Sequence, residues 1–349
     1  MSEQLGFALV GCGEIAVCTS ERILDSPHVR VVRCMDPRED LAEDLAAAHG
    51  AKSGGRIEDV LADDEVQAVI ISTPHYLHSP LAIQAAGAGK HVMVEKPLAC
   101  TLSQADAMIA AADAAGVKLG VMFDQRIDFA QVKARELVRG GAIGDVVAVK
   151  IHGTTDKPES YWHGGFTGRV KDDWRISLAT SGGGYLIMNQ IHNLDVLVSI
   201  VDPSPERIYA EYSTLRTPVE VEDFVSFVMR LEGGVIVSLD GSSAAVGAES
   251  FGDRFYGKSG QIAVAAGVLR VFLTEPWGDI EAGRWVEMSA PDDRPDSRSQ
   301  MVDRFAEAAL TGGEVPVCGR EARRSLEIAR GAYLSMQRGG PVRFPVEGD

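Results

Sequence analysis

In the first third of the chain, apolar residues come in short, unbroken runs at regular intervals. Residues 7–11 (FALVG), 30–36 (RVVRCMD), 68–73 (AVIIST), 91–95 (HVMVE) and 118–123 (KLGVMF) are each as long as a strand. Between them lie stretches of helical character at 14–25, 41–50, 80–90 and 101–116, the last opened by Thr101 and closed by Gly116. A strand buried on both faces is apolar throughout, not alternating. Such strands separated by helices predict a parallel sheet covered on both sides. Beyond residue 123 the strands become longer and follow one another directly, at 145–155, 206–215, 223–231 and 234–243. Gly233 and Gly234 between the last two predict a hairpin. The expected architecture is α/β. A parallel domain covers 1–123, and an α+β domain with a large, open, mostly antiparallel sheet covers 124–349. A last helix, about 319–337, is expected to pack back on the first domain.

Composition narrows the function. A length of 349 residues exceeds what one core usually serves, which agrees with two domains. The formal charge of -16 disfavours nucleic acid and anionic membranes as partners. Cys12, Cys18, Cys34, Cys100 and Cys318 are odd in number, scattered and without a CxxC pair. They predict neither a disulfide framework nor a zinc site, and a reducing, cytoplasmic setting. Ser2 and Glu3 open the chain without a basic leader, and no apolar run nears the roughly 20 residues of a membrane span. His152, Asp156 and His163 lack metal-ligand spacing, so no metal is expected.

Strand one runs into GCGEIA, which carries Gly11, Gly13 and Ala16 as GxGxxA directly before a helix. Gly11 permits a tight turn, Gly13 lets backbone approach a pyrophosphate, and Ala16 allows close helix–strand packing. The helix start, with Glu14 and Ile15, supplies amides to the phosphates. An acid, Asp36, ends strand two, where it suits the ribose hydroxyls of NAD. Together these predict a Rossmann dinucleotide-binding domain. Asp36 repels a 2′-phosphate, whereas Arg38 would attract one, so NAD is expected and NADP stays open. Thr73, Pro74 and His78 follow a buried strand, at the edge where such folds bind ligands. For His75 and His78, helix capping and surface polarity are the alternative.

GxGxxA, TPHYLH at 73–78, EKP at 95–97 and GGGYLIMNQIHNLD at 182–195, in that order, resemble the Gfo/Idh/MocA oxidoreductase family over most of the chain. The resemblance implies an NAD(P)-dependent redox reaction at a sugar, polyol or cyclic alcohol. It implies a homo-dimer or homo-tetramer built on the open sheet. It places Lys96 at the substrate, with His192 facing it. Glu95, at the carboxyl edge of the sheet beside Lys96, is expected to contact the ribose side or orient the lysine. Many family members carry an acid four residues before the histidine, where this chain has Met188 followed by Asn189. Asn189 can bond a substrate hydroxyl but cannot take its proton.

Oxidising a secondary alcohol removes a hydride and a proton. The nicotinamide takes the hydride, and side chains must accept the proton and stabilise the alkoxide. Lys96 and His192 are the expected pair, with either as the base. Met188, His192 and Asp195 recur on one helical face, so Asp195 is suited to holding the His192 ring. The loop SYWHGGFTGRVKDDWRIS (160–177) is aromatic, basic and glycine-rich, as a substrate loop would be. Tyr161, Trp162, His163, Arg169, Trp174 and Arg175 are its candidates, the alternative being a packed surface loop. Two other functions remain open, a glycoside-cleaving enzyme with a closed NAD redox cycle and a non-catalytic NAD(P) sensor. Retention of both Lys96 and His192 argues against the sensor.

Overall fold

The computed structural model describes residues 4–291 and 294–347. Ser2 and Glu3, read above for the absence of a leader, lie outside the described residues. Met1–Asp124, Ser160–Gly182 and Pro295–Arg323 cluster as one compact unit, and Gln125–Glu159, Gly183–Arg294 and Arg324–Asp349 as another.

The first unit is built on strands β1 (Leu5–Val10), β2 (Val29–Met35), β3 (Lys52–Gly54), β4 (Ala68–Ile71), β5 (His91–Val94) and β6 (Leu119–Val121). They form one sheet in the order β3-β2-β1-β4-β5-β6, and every pairing is parallel. Helices α1 (Glu14–Arg22), α2 (Glu39–His49), α3 (Ile57–Leu61), α4 (His78–Gly87) and α5 (Leu102–Ala115) alternate with the strands. β1 and β4 are buried at every position, as continuous apolar runs require. Thr101 caps α5 by accepting the Gln104 amide, and Gly116 ends it in the left-handed conformation. β3 was not foreseen because its three residues, KSG, carry no apolar signal. The strand order reverses between β1 and β4, which opens a crevice at their carboxyl ends.

The chain continues through α6 (Phe129–Arg139), β7 (Val146–Thr154), α7 (Glu159–Gly164), α8 (Leu178–Ser181) and α9 (Ile191–Val201). Strands β8 (Pro205–Ser213), β9 (Phe224–Leu231), β10 (Ile236–Ser242), β11 (Asp253–Gly257), β12 (Gly260–Ala265), β13 (Val268–Leu273) and β14 (Trp285–Met288) follow. Helices α10 (Ser297–Thr311) and α11 (Gly319–Arg338) and the short β15 (Val342–Arg343) close the fold. The second unit's sheet has nine strands in the order β14-β13-β12-β11-β7-β10-β9-β8-β15. Its pairings are antiparallel except for β7 with β10. The expected hairpin joins β9 to β10, with Gly233 and Gly234 at φ of 75° and 87°. β11 to β14 escaped the sequence analysis because each is only four to six residues long, with polar residues interrupting the apolar ones. Gly319–Arg323 of α11 fall in the first unit, where Arg323 pairs with Asp106, and the rest of that helix falls in the second.

In the second unit the start of α9 is fixed by a buried cradle. The Glu222 carboxylate accepts the amides of Gly184 (2.7 Å) and Leu186 (2.9 Å) and the Tyr333 hydroxyl (2.8 Å). A Cβ on Gly184 would lie 2.0 Å from the Glu222 carbonyl oxygen, so only glycine fits. Beyond it, Leu186–Gln190 form a π-turn that runs directly into α9. Gly184→Ala is expected to cost about 1–3 kcal/mol by overpacking, read as a lower urea midpoint. A midpoint equal to the parent's would refute the close approach.

Candidate active site

The glycine loop follows from the crowding of β1 against β4. Gly11 has φ 87°, and a Cβ there would lie 2.8 Å from Thr73 Cγ2 and 2.9 Å from the Ser72 carbonyl oxygen. Gly13 differs, since a Cβ on it would meet nothing nearer than Val170 Cγ2 at 3.8 Å. Its missing side chain leaves room above the loop, which is where a pyrophosphate would lie. Ala16 is buried, Ile15 is exposed, and no side chain caps the start of α1, so its first amides can serve an anion. Asp36 is held from both sides. Its Oδ2 accepts the Cys12 amide (2.8 Å) and its Oδ1 the Arg38 amide (2.9 Å). The Arg38 guanidinium instead pairs with Asp40 (2.7 Å) at the surface. These residues fit a dinucleotide.

The loop expected to read substrate belongs partly to this glycine loop. Glu14 accepts the amides of Phe166 (3.0 Å) and Thr167 (3.1 Å). Arg169 Nε donates to the Cys12 carbonyl (3.1 Å) and its Nη2 pairs with Asp44 (2.7 Å). Arg169 therefore stands at the phosphate loop. Trp174 packs on His75 with ring centroids 4.5 Å apart, and Arg175 lies over both Trp174 (4.6 Å) and Tyr161 (5.3 Å). Trp162 is fully buried with its ring edge-on to Tyr161, so it packs as a core residue and offers no face to a ligand. His163 is exposed and paired with Asp173 (2.6 Å).

The Glu95–Pro97 turn is tied to the Thr73–Pro74 turn by His78. The His78 ring lies 2.8 Å from the Pro97 carbonyl oxygen through Nδ1 and 3.1 Å from that of Thr73 through Nε2. His75 contacts the Ser181 carbonyl oxygen at 2.8 Å. Both histidines are buried, which overturns the surface-polarity alternative, and burial pulls both below the usual imidazole value. The Lys96–Pro97 peptide is cis. Glu95, only 4% exposed, accepts from Arg298 Nη1 at 2.5 Å. Burial pulls the Lys96 ammonium below the usual lysine value, with Glu95 and Asp124 opposing the fall and Arg298 and Arg175 adding to it. Arg298 was not foreseen, because nothing near it in sequence marks it as part of a site.

In the second unit, His192 is half-buried on the first turn of α9. The Asp195 carboxylate forms a two-bonded pair with buried Arg126, at 2.8 Å and 2.5 Å, and accepts from Ser325 (3.4 Å). That pair ties α9 to Arg126, a partner the spacing from His192 did not suggest. Met188 is buried, and Asn189 accepts from Lys157 Nζ at 2.5 Å. Lys157 is itself 3% exposed and was not foreseen either. Asn193 donates to buried Asp253 (3.2 Å), whose carboxyl burial pushes up to about 7. Among the described residues no group of His, Cys, Asp or Glu could hold a metal, and no helix is long and apolar enough to cross a membrane.

Residues 5–123 match the model of an oxidoreductase family with an NAD-binding Rossmann fold, and 132–263 match the GFO/IDH/MocA C-terminal domain. The chain is 30% identical to the 1,5-anhydro-D-fructose reductase of Ensifer adhaerens over 66% of its length and 67% of the relative's. It is 26% identical to the myo-inositol 2-dehydrogenase of Thermotoga maritima, covering 96% and 97%. The crystal structure of the aldose-aldose oxidoreductase of Caulobacter crescentus superposes with a TM-score of 0.84 at 26% identity, covering 98% of this chain and 100% of that one.

The Asp253 geometry has a consequence for stability. A carboxyl raised from 3.8 to about 7 by folding favours the protonated native state. Its contribution is full below pH 4 and is lost as pH rises towards 7. Asp253→Asn should therefore gain on the parent between pH 5 and pH 8, by on the order of 1 kcal/mol or more in urea unfolding. A constant difference between the two pH values would contradict the raised carboxyl.

Proposed function

The chain belongs to the GFO/IDH/MocA oxidoreductase family, and on that premise we propose that it moves a hydride between NAD and a secondary hydroxyl or ketone of a sugar, polyol or related cyclic alcohol. The observation that carries this reading is Lys96, a lysine whose charged form burial disfavours, at the carboxyl end of β5 in an NAD-binding fold. The names of the relatives, a sugar reductase and an inositol dehydrogenase, support the substrate class.

Bound nicotinamide would supply the hydride acceptor or donor. The glycine loop and the start of α1 would hold its pyrophosphate, with Asp36 on the ribose. Asp36 is fixed by the Cys12 and Arg38 amides, and the Arg38 guanidinium is taken up by Asp40, which supports NAD over NADP. Lys96 and His192 form the proposed proton-handling pair. In oxidation one takes the hydroxyl proton while the other donates to the oxygen, and in reduction the roles reverse. Imidazole exchanges protons near neutral pH, and a desolvated amine can do the same. In this proposal Asn189 and Lys157 read substrate hydroxyls, since Met188 offers no acid.

One observation favours a second reading. Glu14 and Arg169 strap residues 166–169 onto the phosphate loop, an arrangement that would slow cofactor exchange. Slow exchange suits a closed cycle that oxidises a ring hydroxyl, eliminates, and reduces again with no net change in NAD.

Nicotinamide absorbance should change when the protein meets a panel of aldoses, inositols, anhydrosugars and dihydrodiols, more with NAD than with NADP. Silence across the panel, with cofactor that survives desalting, would transfer the reading to the closed cycle. Lys96→Ala should fold and bind NAD yet lose turnover by about 10²–10⁴-fold. Parental turnover in that variant would end the proposed mechanism.

A further inference from the structure

Next to Lys96 in the first unit lies a buried charge cluster that joins Glu95 of the EKP turn to Arg298, which no sequence motif marks. It is delivered by α10. Asp296 caps that helix by accepting the amides of Arg298 (3.0 Å) and Ser299 (3.2 Å), which fixes the first turn. Arg298, 8% exposed, then reaches three groups from different parts of the sheet edge. Its Nη1 donates to Glu95 Oε1 (2.5 Å) and Thr19 Oγ1 (2.9 Å), and its Nη2 lies 3.2 Å from Asp124 Oδ2. The other oxygen of Glu95 accepts the Lys96 amide at 3.3 Å. The carboxylates of Glu95 and Asp124, near an amine and shielded from water, would by themselves hold that amine as an ammonium. A guanidinium keeps its charge and can bond two carboxylates at once, so it offsets them in a fixed geometry.

We propose that Arg298 is a positioning residue for the reaction. It binds Glu95 and Asp124 into a neutralised cluster beside Lys96, which weakens the hold of the two carboxylates on the lysine's proton. The inference rests on the assignment of Lys96 as a proton-handling group. Charged and titratable groups that act on Lys96 include Glu95, Asp124, Arg298, Arg175, His75 and His78. Burial keeps the two histidines neutral, and Arg175 is drawn over the Trp174 and Tyr161 rings. Arg298 bonds both acids.

The test is an NMR titration of 13Cε-lysine protein without substrate, with the Lys96 resonance identified by its loss in Lys96→Ala. Arg298→Met should move the Lys96 titration to higher pH, because two carboxylates regain their hold on it. Glu95→Gln should move it to lower pH, because Arg298 then faces Lys96 with one acid fewer. Arg298→Lys should stay near the parent. With a substrate in hand, the pH profile of kcat/KM should follow the same signs, and Arg298→Met should lose about tenfold at neutral pH while its affinity for NAD is kept. A purely structural arginine predicts something else. Loosening admits water, and both Arg298→Met and Glu95→Gln would then shift upward. An unmoved titration in Arg298→Met, or an upward shift in Glu95→Gln, overturns the proposal. If Arg298→Met does not fold, the sign in Glu95→Gln decides. The titration needs no turnover. Expected shifts beside an active Lys96→Ala would therefore sink the proposed mechanism and leave the charge cluster standing.

Discussion

A parallel sheet whose strands are apolar along their whole length must be covered on both faces, and that constraint governs the rest of the first unit. No polar group can sit on the faces of β1 or β4 without a large desolvation cost. The chemistry is confined to the carboxyl edge, where strands end and backbone amides come free. Gly11, Asp36, Thr73 and Lys96 all lie just past strand ends for this reason. The crowding of β1 against β4 then selects glycine at position 11, while the space above Gly13 stays open.

At that edge, position depends on cross-links between turns. His78 ties the turn after β4 to the turn after β5, and as a buried neutral ring it does so without adding charge beside Lys96. Arg298 ties Glu95 to Thr19 and to Asp124. The lysine thus projects from a turn whose neighbours are fixed on several sides. A buried ion pair is weak evidence for stability, because desolvation offsets much of its attraction. A cluster of one arginine and two acids beside a lysine is better understood as setting that lysine's charge.

The second unit solves a similar problem with different parts. Its sheet is antiparallel apart from one pair, so its strands alternate, with Val225, Phe227, Met229 and Leu231 of β9 buried. The segment carrying His192 is held by the Glu222 cradle before α9 and by the Arg126–Asp195 pair within it. Asn193 reaches Asp253 from the next position, so both sides of His192 are anchored. The π-turn ahead of α9 changes the helical register of Met188 and Asn189 relative to His192. Spacing counted on an ideal helix, as the sequence invites, does not describe the face these residues share.

What the sequence determined by itself is what short stretches encode. Continuous apolar runs specified a parallel sheet, GxGxxA with Asp36 pointed to an NAD-binding Rossmann fold, and Thr101 and Gly116 marked the ends of a helix. Each depends on residues that are close in the chain and have few conformations open to them. The tertiary structure decided which distant side chain meets which. Arg298 lies 203 residues from Glu95, and Arg169 lies 157 from Cys12. No local pattern names the partner of either arginine, because a guanidinium has the same propensities on a solvated surface and in a buried cluster. Trp162, left between substrate loop and packed loop by the sequence, is fully buried, since an aromatic in a glycine-rich loop can face a ligand or fill a core. Burial settles that, and burial is a property of the packed chain alone.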